Sequence, residues 1–302
     1  KQQGKRMRRQ IIVILLSLFY FALPSAWGAD RGALFKVTAN GHTMHLYGTM
    51  HVGVPEFYPL EPRIAQAVAG ASVLALEIDA GRDPAGMAKA IGQHGLNAPG
   101  TSLYRAMTPQ LKGRLEKVLG RARIEPAAIT GFRPWLVATM LALAEYGAQG
   151  YRPDLAVDVH LAQLARKGGV PVTELESVDS QLALFSAMPE AMQVRMLEEV
   201  VGMIEEGRQA AEVRQVVDAW SSADKAGLDA IAQRIEEDQT VSGRFLQKVL
   251  LEERNAKMAE KIAQMLAQKN NSVAAVGVLH LVGKTSVPAL LRARGMAVER
   301  VY

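Results

Sequence analysis

Two segments near opposite ends of the chain read almost alike: Leu46-Tyr47-Gly48-Thr49-Met50-His51-Val52-Gly53 and Val276-Gly277-Val278-Leu279-His280-Leu281-Val282-Gly283. Each is an apolar, strand-like run that leads into Gly-x-x-His and a further glycine. More than 200 residues separate them in a chain with six histidines and no cysteine. If both runs are strands, their ends meet only in a sheet that draws strands from both ends of the chain. Ligands collect at the carboxyl ends of strands in open α/β sheets, so the repeated frame also predicts where chemistry belongs. The flanking glycines allow tight turns and close backbone approach. Neutral imidazole ligates zinc, iron, nickel and manganese-class metals and also serves as a general base. The residues alone leave both roles open.

The rest of the pattern agrees with such a sheet. Ala33–Thr38 and Thr43–Gly48 flank Asn40-Gly41, a strong hairpin signal because both residues tolerate positive φ. Pro62–Ala71 reads as a helix and Ser72–Ile78 as a buried strand. The middle is mostly helical: Pro84–His94, Thr108–Ala122, Pro126–Thr130, Pro134–Tyr146 and Asp154–Lys167, with Thr108 as a cap and Pro109 at the first helical position. A strand at Val170–Leu175 comes next, then helix after helix from Val178, the last being Phe245–Gln268. Strand Ser272–Val278, helix Val287–Arg294 and strand Ala297–Tyr302 close the chain. The predicted class is α/β: a mixed central sheet built from N- and C-terminal segments, with a large, mostly helical insertion or cap at about 84–268.

Charge narrows the function. The formal net charge is +5, and Lys1, Lys5, Arg6, Arg8 and Arg9 account for all of it, so residues 29–302 balance. A balanced body carries no electrostatic footprint for phosphate backbones, which argues against nucleic acid. The basic stretch precedes an apolar run, Ile11–Leu23, and small residues up to Gly28. That is the pattern of a secretory signal peptide over 1–28, with 29–302 as the exported domain and no stable membrane span after cleavage. The apolar run is short against the ~20 residues that a membrane helix needs. Without cysteine there are no disulfides, which is compatible with a bacterial periplasm.

Beside His51 and His280, Glu77 ends the strand Val73–Ile78 and so falls at the same sheet edge. A carboxylate there can complete a two-His, one-carboxylate metal site or act as a base for bound water. Asp79 is too close in sequence to be separated from it. Glu174 and Glu176 end another strand, so one of them is expected near the site. Arg133 and Arg254 are candidates for holding a carboxylate or an oxyanion. His42, His45, His94 and His160 read as ordinary structural histidines. There is no Gly-x-Ser-x-Gly elbow, no phosphate-binding Gly-x-x-x-x-Gly-Lys-Ser/Thr and no His-Glu-x-x-His.

From about Leu34 to Tyr302 the chain resembles the TraB/GumN family, related to the Tiki proteins. The resemblance rests on Tyr47–Gly53, the Leu74–Ile78 strand ending in Glu77, and Val276–Gly283. Val157-Asp158 with Leu161, the Val172–Glu176 strand and Glu253-Arg254-Asn255 support it, and Gly131–Trp135 matches more loosely. It implies an α/β fold shared with erythromycin-esterase-like and ChaN-like proteins, with both histidines and Glu77 facing one cleft. Tiki proteins are described as metal-dependent proteases of secreted ligands that favour manganese or cobalt. GumN lies among exopolysaccharide biosynthesis genes and TraB is linked to pheromone shutdown, so no single substrate carries over. The resulting expectation is an exported hydrolase, peptidase-like, acting on a peptide or other small secreted substrate. In it His51, His280 and Glu77 hold a divalent metal of the manganese, cobalt or zinc class, and Glu77, Arg254 and Asn255 serve the reaction. The competing expectation is a non-catalytic periplasmic accessory or ligand-binding protein, linked to exopolysaccharide production or to a haem-like ligand.

Overall fold

A computed structural model describes residues 29–302; the leader expected over 1–28 lies outside the described residues. Six strands form one sheet in the order β4-β3-β5-β2-β1-β6. They are β1 (Leu34–Ala39), β2 (His42–Thr49), β3 (Leu74–Leu76), β4 (Val172–Glu174), β5 (Ser272–Gly277) and β6 (Ala297–Arg300). β1 and β2 make the expected hairpin, with Asn40 and Gly41 at φ +50° and +79°, the conformation that Asn-Gly adopts most readily. β6 pairs antiparallel with β1.

The centre of the sheet brings the two ends of the chain together. β5, from the end of the chain, lies between β2 and β3, from its beginning, and pairs parallel with both. β4 then pairs parallel with β3. Parallel strands covered on both faces read as continuous apolar runs rather than alternating ones. Leu74-Ala75-Leu76 and Val273–Val276 are accordingly buried throughout. Four strands therefore point the same way, and the segments leaving their carboxyl ends carry His51, Glu77, Glu176 and His280 to one edge of the sheet.

The helices are α1 (Pro62–Ala69), α2 (Pro84–Gly95), α3 (Pro109–Arg121), α4 (Pro134–Ala148), α5 (Val157–Lys167), α6 (Val178–Ser186), α7 (Glu190–Glu205), α8 (Arg208–Ser221), α9 (Lys225–Glu237), α10 (Val241–Phe245), α11 (Arg254–Gln268) and α12 (Val287–Ala293). Thr108 caps α3 as expected, its side chain accepting from Leu111 N beside Pro109. α1, α5, α11 and α12 supply Ile64, Leu161, Ile262 and Leu291 to the core around the sheet. The helical middle has a core of its own, in which α3, α4 and α7 contribute Leu115, Trp135 and Leu197. No helix among the described residues is long and apolar enough to cross a membrane.

Two details differ from the sequence expectation. Pro126–Ile129 is a 3-10 turn rather than a helix. The single helix expected over Phe245–Gln268 is interrupted by a π-helical stretch, Leu246–Glu253, between α10 and α11. Its hydrogen bonds reach one residue further than those of an α-helix, and such widenings recur at functional sites. Here it turns Leu246, Leu250, Leu251 and Arg254 toward one cavity.

Candidate functional site

The two Gly-x-x-His segments lie side by side. Gly48 and Thr49 pair in register with Val276 and Gly277. A side chain on Gly48 would meet Val278, and one on Gly277 would meet His51 Nε2 at 3.0 Å. Neither glycine has positive φ. Both are therefore needed for the close approach of one motif to the other, not for a turn. The trailing glycines differ: Gly283 sits at φ +83° in a turn, whereas Gly53 packs directly on the backbone of Leu155.

Glu77 is where the motifs converge. Its Oε2 stands 3.7 Å from His51 Nε2 and 3.6 Å from His280 Nε2, and it accepts from Gly277 N at 3.2 Å. Its Oε1 accepts from Arg254 and, at 2.8 Å, from Gln181 Nε2. Burial works to raise the pKa of Glu77, but His280, His51 and Arg254 hold its carboxyl well below the usual carboxylate range. Arg254 also donates to Glu176, which Gln181 reaches as well. Buried charges persist when they are paired and hydrogen-bonded, and this Glu77–Arg254–Glu176 layer meets both conditions.

Each histidine is oriented from behind. His51 Nδ1 lies 2.7 Å from Asp158 Oδ2. His280 Nδ1 lies 2.6 Å from Asn255 Oδ1, while Asn255 Nδ2 donates to Thr285 O. A carbonyl only accepts, so Thr285 fixes the Asn255 amide and leaves its oxygen for His280. Nδ1 of His280 therefore carries hydrogen, and its Nε2 lone pair faces Glu77. Burial lowers the pKa of His280 to about 4. Loss of bulk water also works to lower that of His51, but the Asp158 hydrogen bond and charge, with Glu77, override it and lift it to about 9.

These residues line the floor of a cavity of about 370 Å³. The Thr49 hydroxyl is buried at this floor without a hydrogen-bond partner. The walls are apolar and come from α4, α6, α8 and the π-helical stretch.

The structure sorts the sequence candidates. His51, His280, Glu77 and Arg254 share the cavity, and Asn255 stands behind it. Asn255 holds His280 rather than facing the cavity. Of the two strand-end glutamates, Glu176 reaches Arg254, whereas Glu174 turns to the Asp79 amide and Arg82. Asp79 separates from Glu77 because its side chain pairs with Arg166. Arg133 is remote from the site: it donates to the carbonyls of Leu96 and Ser186. His160 stacks on Tyr58, His42 meets Leu266 O, and His94 ties Asp179 to Ser186. Sequence reasoning missed Gln181, which has no motif around it, and left Asp158 without a role.

The donor types fit a divalent metal. Tetrahedral donors ~2.1 Å from a shared ion stand roughly 3.4 Å apart, near the separations about Glu77 Oε2. Histidine ligands also commonly pass their other ring hydrogen to a carboxylate or carbonyl, as both rings do here. Among the described residues, however, no group of three or more His, Cys, Asp or Glu side chains is placed so that it could hold a metal ion as it stands.

The comparisons with known proteins cover the same landmarks. The chain is 25% identical over 282 residues to the uncharacterized protein YbaP of Escherichia coli (strain K12), covering 90% of this chain and 98% of that protein. The same identity holds over 283 residues for the YbaP of Shigella flexneri, with the same coverage. No solved structure matches the chain significantly. The TraB/PrgY/gumN family model matches residues 33–300, from the strand before the first Gly-x-x-His to the strand after the second, and the chain belongs to that family.

Proposed function

We propose that the chain is an exported metal-dependent hydrolase, peptidase-like, that acts on a peptide or other small secreted substrate. The observation that carries this reading is the orientation of the two histidines. Separate partners, Asp158 and Asn255, take up both Nδ1 atoms and turn both Nε2 atoms toward one oxygen of Glu77. His51, His280 and Glu77 would hold the ion, of the manganese, cobalt or zinc class. When bound, such an ion polarises a carbonyl and lowers the pKa of bound water toward neutrality. Export is proposed from the basic and apolar pattern of residues 1–28.

The chain's own residues take distinct parts. His280, His51 and Arg254 keep Glu77 ionised and Gln181 helps to fix it, and a carboxyl held so low suits a ligand better than a general base at neutral pH. Arg254 also lines the cavity, where its charge faces a developing oxyanion. Asp158 and Asn255 position the imidazoles, and the apolar walls flank the floor.

A second reading is a periplasmic accessory protein that binds a ligand without turnover, and the apolar cavity favours it. Metal content and chelator-sensitive cleavage of a peptide library separate the two. Protein purified without added metal should carry a stoichiometric ion, and the His51→Ala/His280→Ala double variant should lose it together with cleavage. Bound metal without chelator-sensitive hydrolysis would select the second reading. Full activity and metal content in both single variants would place the site elsewhere.

A further inference from the structure

The polarity of the cavity changes abruptly between floor and walls. Charged and imidazole groups are confined to the floor, at His51, Glu77, Arg254 and His280. The walls are Leu143, Phe185, Val216, Leu250 and neighbouring apolar residues, with the Tyr146 hydroxyl and the Gln181 amide, the latter turned to Glu77, as their polar groups. They come from α4, α6, α8 and the π-helical stretch, so the apolar lining is assembled from four separate segments. Leu143 stands at the rim with 48% of its surface exposed, more than any other large hydrophobic residue described.

We infer that this cavity selects a substrate whose reacting carbonyl carries one bulky apolar group, such as a leucine- or phenylalanine-sized side chain. The inference rests on the hydrolase reading and names its substrate class. A volume of about 370 Å³ lies at the low end of the ~300–1,000 Å³ typical of small-molecule sites. That accommodates one large group with its flanking backbone. An apolar group gains by leaving water for these walls. A lysine, glutamate or sugar would lose hydration there and find almost no partner for its polar atoms, which is costly in a buried site. The polar floor then receives the carbonyl while the walls hold the group beside it. The π-helical stretch presents Leu250 and runs directly into Arg254 at the start of α11, so a specificity residue and a floor residue lie four positions apart on one continuous helical segment.

Two measurements test this. The first is ligand-observed NMR with N-acetyl-leucinamide and N-acetyl-phenylalaninamide against N-acetyl-lysinamide, N-acetyl-glutaminamide and N-acetylglucosamine. The second is cleavage of a peptide library randomised beside the scissile bond. The apolar amides should bind roughly tenfold or more tightly than the others, the scale that one apolar pocket provides. Leu143→Lys, at an exposed position, should remove most of that preference with an unchanged thermal midpoint, and Leu250→Ala should weaken it. Equal or tighter binding of the charged or sugar probes would overturn the inference, as would apolar binding indifferent to both variants. Apolar binding that Leu143→Lys weakens, without cleavage of any peptide, would uphold the apolar selection and refute the hydrolase reading. Cleavage without apolar preference would do the reverse.

Discussion

The first and second Gly-x-x-His segments share a spelling but not an environment. The side chain of His51 is 57% exposed to its cavity and backed by a carboxylate; that of His280 is 6% exposed and backed by a neutral amide. The carboxylate keeps the first ring's proton to about pH 9, whereas burial strips the second of its proton until about pH 4. Two imidazoles that meet at one glutamate oxygen are thus unequal at neutral pH, one cationic and one neutral. A local frame fixes where a ring is placed, while residues far away in sequence decide its charge.

The largest expected effect comes from Gly53, whose counterpart Gly283 meets only side chains where Gly53 meets backbone. A side chain there would lie 1.9 Å from the backbone oxygen of Leu155. The same backbone is tied down by reciprocal hydrogen bonds between Gly53 and Arg152 and by Val157 N to Met50 O. This clamp brings Asp158 under His51. Gly53→Ala is expected to cost about 3 kcal/mol through overpacking and to loosen the His51–Asp158 contact. Urea unfolding checks the first effect and the His51 titration checks the second. An unchanged midpoint would mean that the clamp gives way freely.

Asn255→Ala tests the second segment in the same way. It leaves a buried imidazole N–H and the Thr285 carbonyl without partners, at an expected cost of about 2 kcal/mol. Nitrogen NMR of His280 should show mixed tautomers, because nothing then fixes the ring. A single retained tautomer would mean that packing alone orients His280. Gly283→Ala should come next at about 1 kcal/mol. Its φ of +83° disfavours a side chain, and the nearest obstacle is the Glu236 carboxylate at 3.2 Å, which is held by Lys284. Thermal unfolding of Gly283→Ala beside Gly53→Ala compares backbone strain with direct collision.

The sequence made the frame legible because strand ends are local. Apolar runs, Asn40-Gly41 and the strand-ending Glu77 each announce themselves within a few residues, and they were enough for a mixed sheet with a helical middle. The surroundings of the frame are not local. Asp158 and Gln181 lie 107 and 104 residues from the side chains they hold, and each sits on an otherwise ordinary amphipathic helix. Asn255 drew attention through its neighbour Arg254, but nothing in Glu253-Arg254-Asn255 says that one residue faces the cavity and the next a histidine. The π-helical stretch was equally hidden, since its composition is that of any amphipathic helix.

The smallest effect on stability, and the sharpest on the comparison, is expected from Asp158→Asn, which gives the first segment the kind of partner the second already has. Its Oδ1 contact with Val159 N is open to an amide, so the fold should persist. In metal-free protein the His51 pKa should fall from about 9 to its ordinary 6.5 or below. A folded pKa above the unfolded one stabilises fully below about 6.5, and that contribution is lost as pH rises through about 9. Wild type should therefore weaken across that window, and Asp158→Asn should not. The difference should be small, because a half-exposed ring is screened by solvent. His280 runs the other way: its lowered pKa stabilises above about 6.5, and that contribution is lost as pH falls through about 4. The acid limb should thus be the same in both proteins. Imidazole titration by NMR, with chelator present and urea midpoints taken across both limbs, reads the two segments separately. If His51 titrates unchanged in Asp158→Asn, the carboxylate does not set its charge and the contrast between the segments lies in exposure alone.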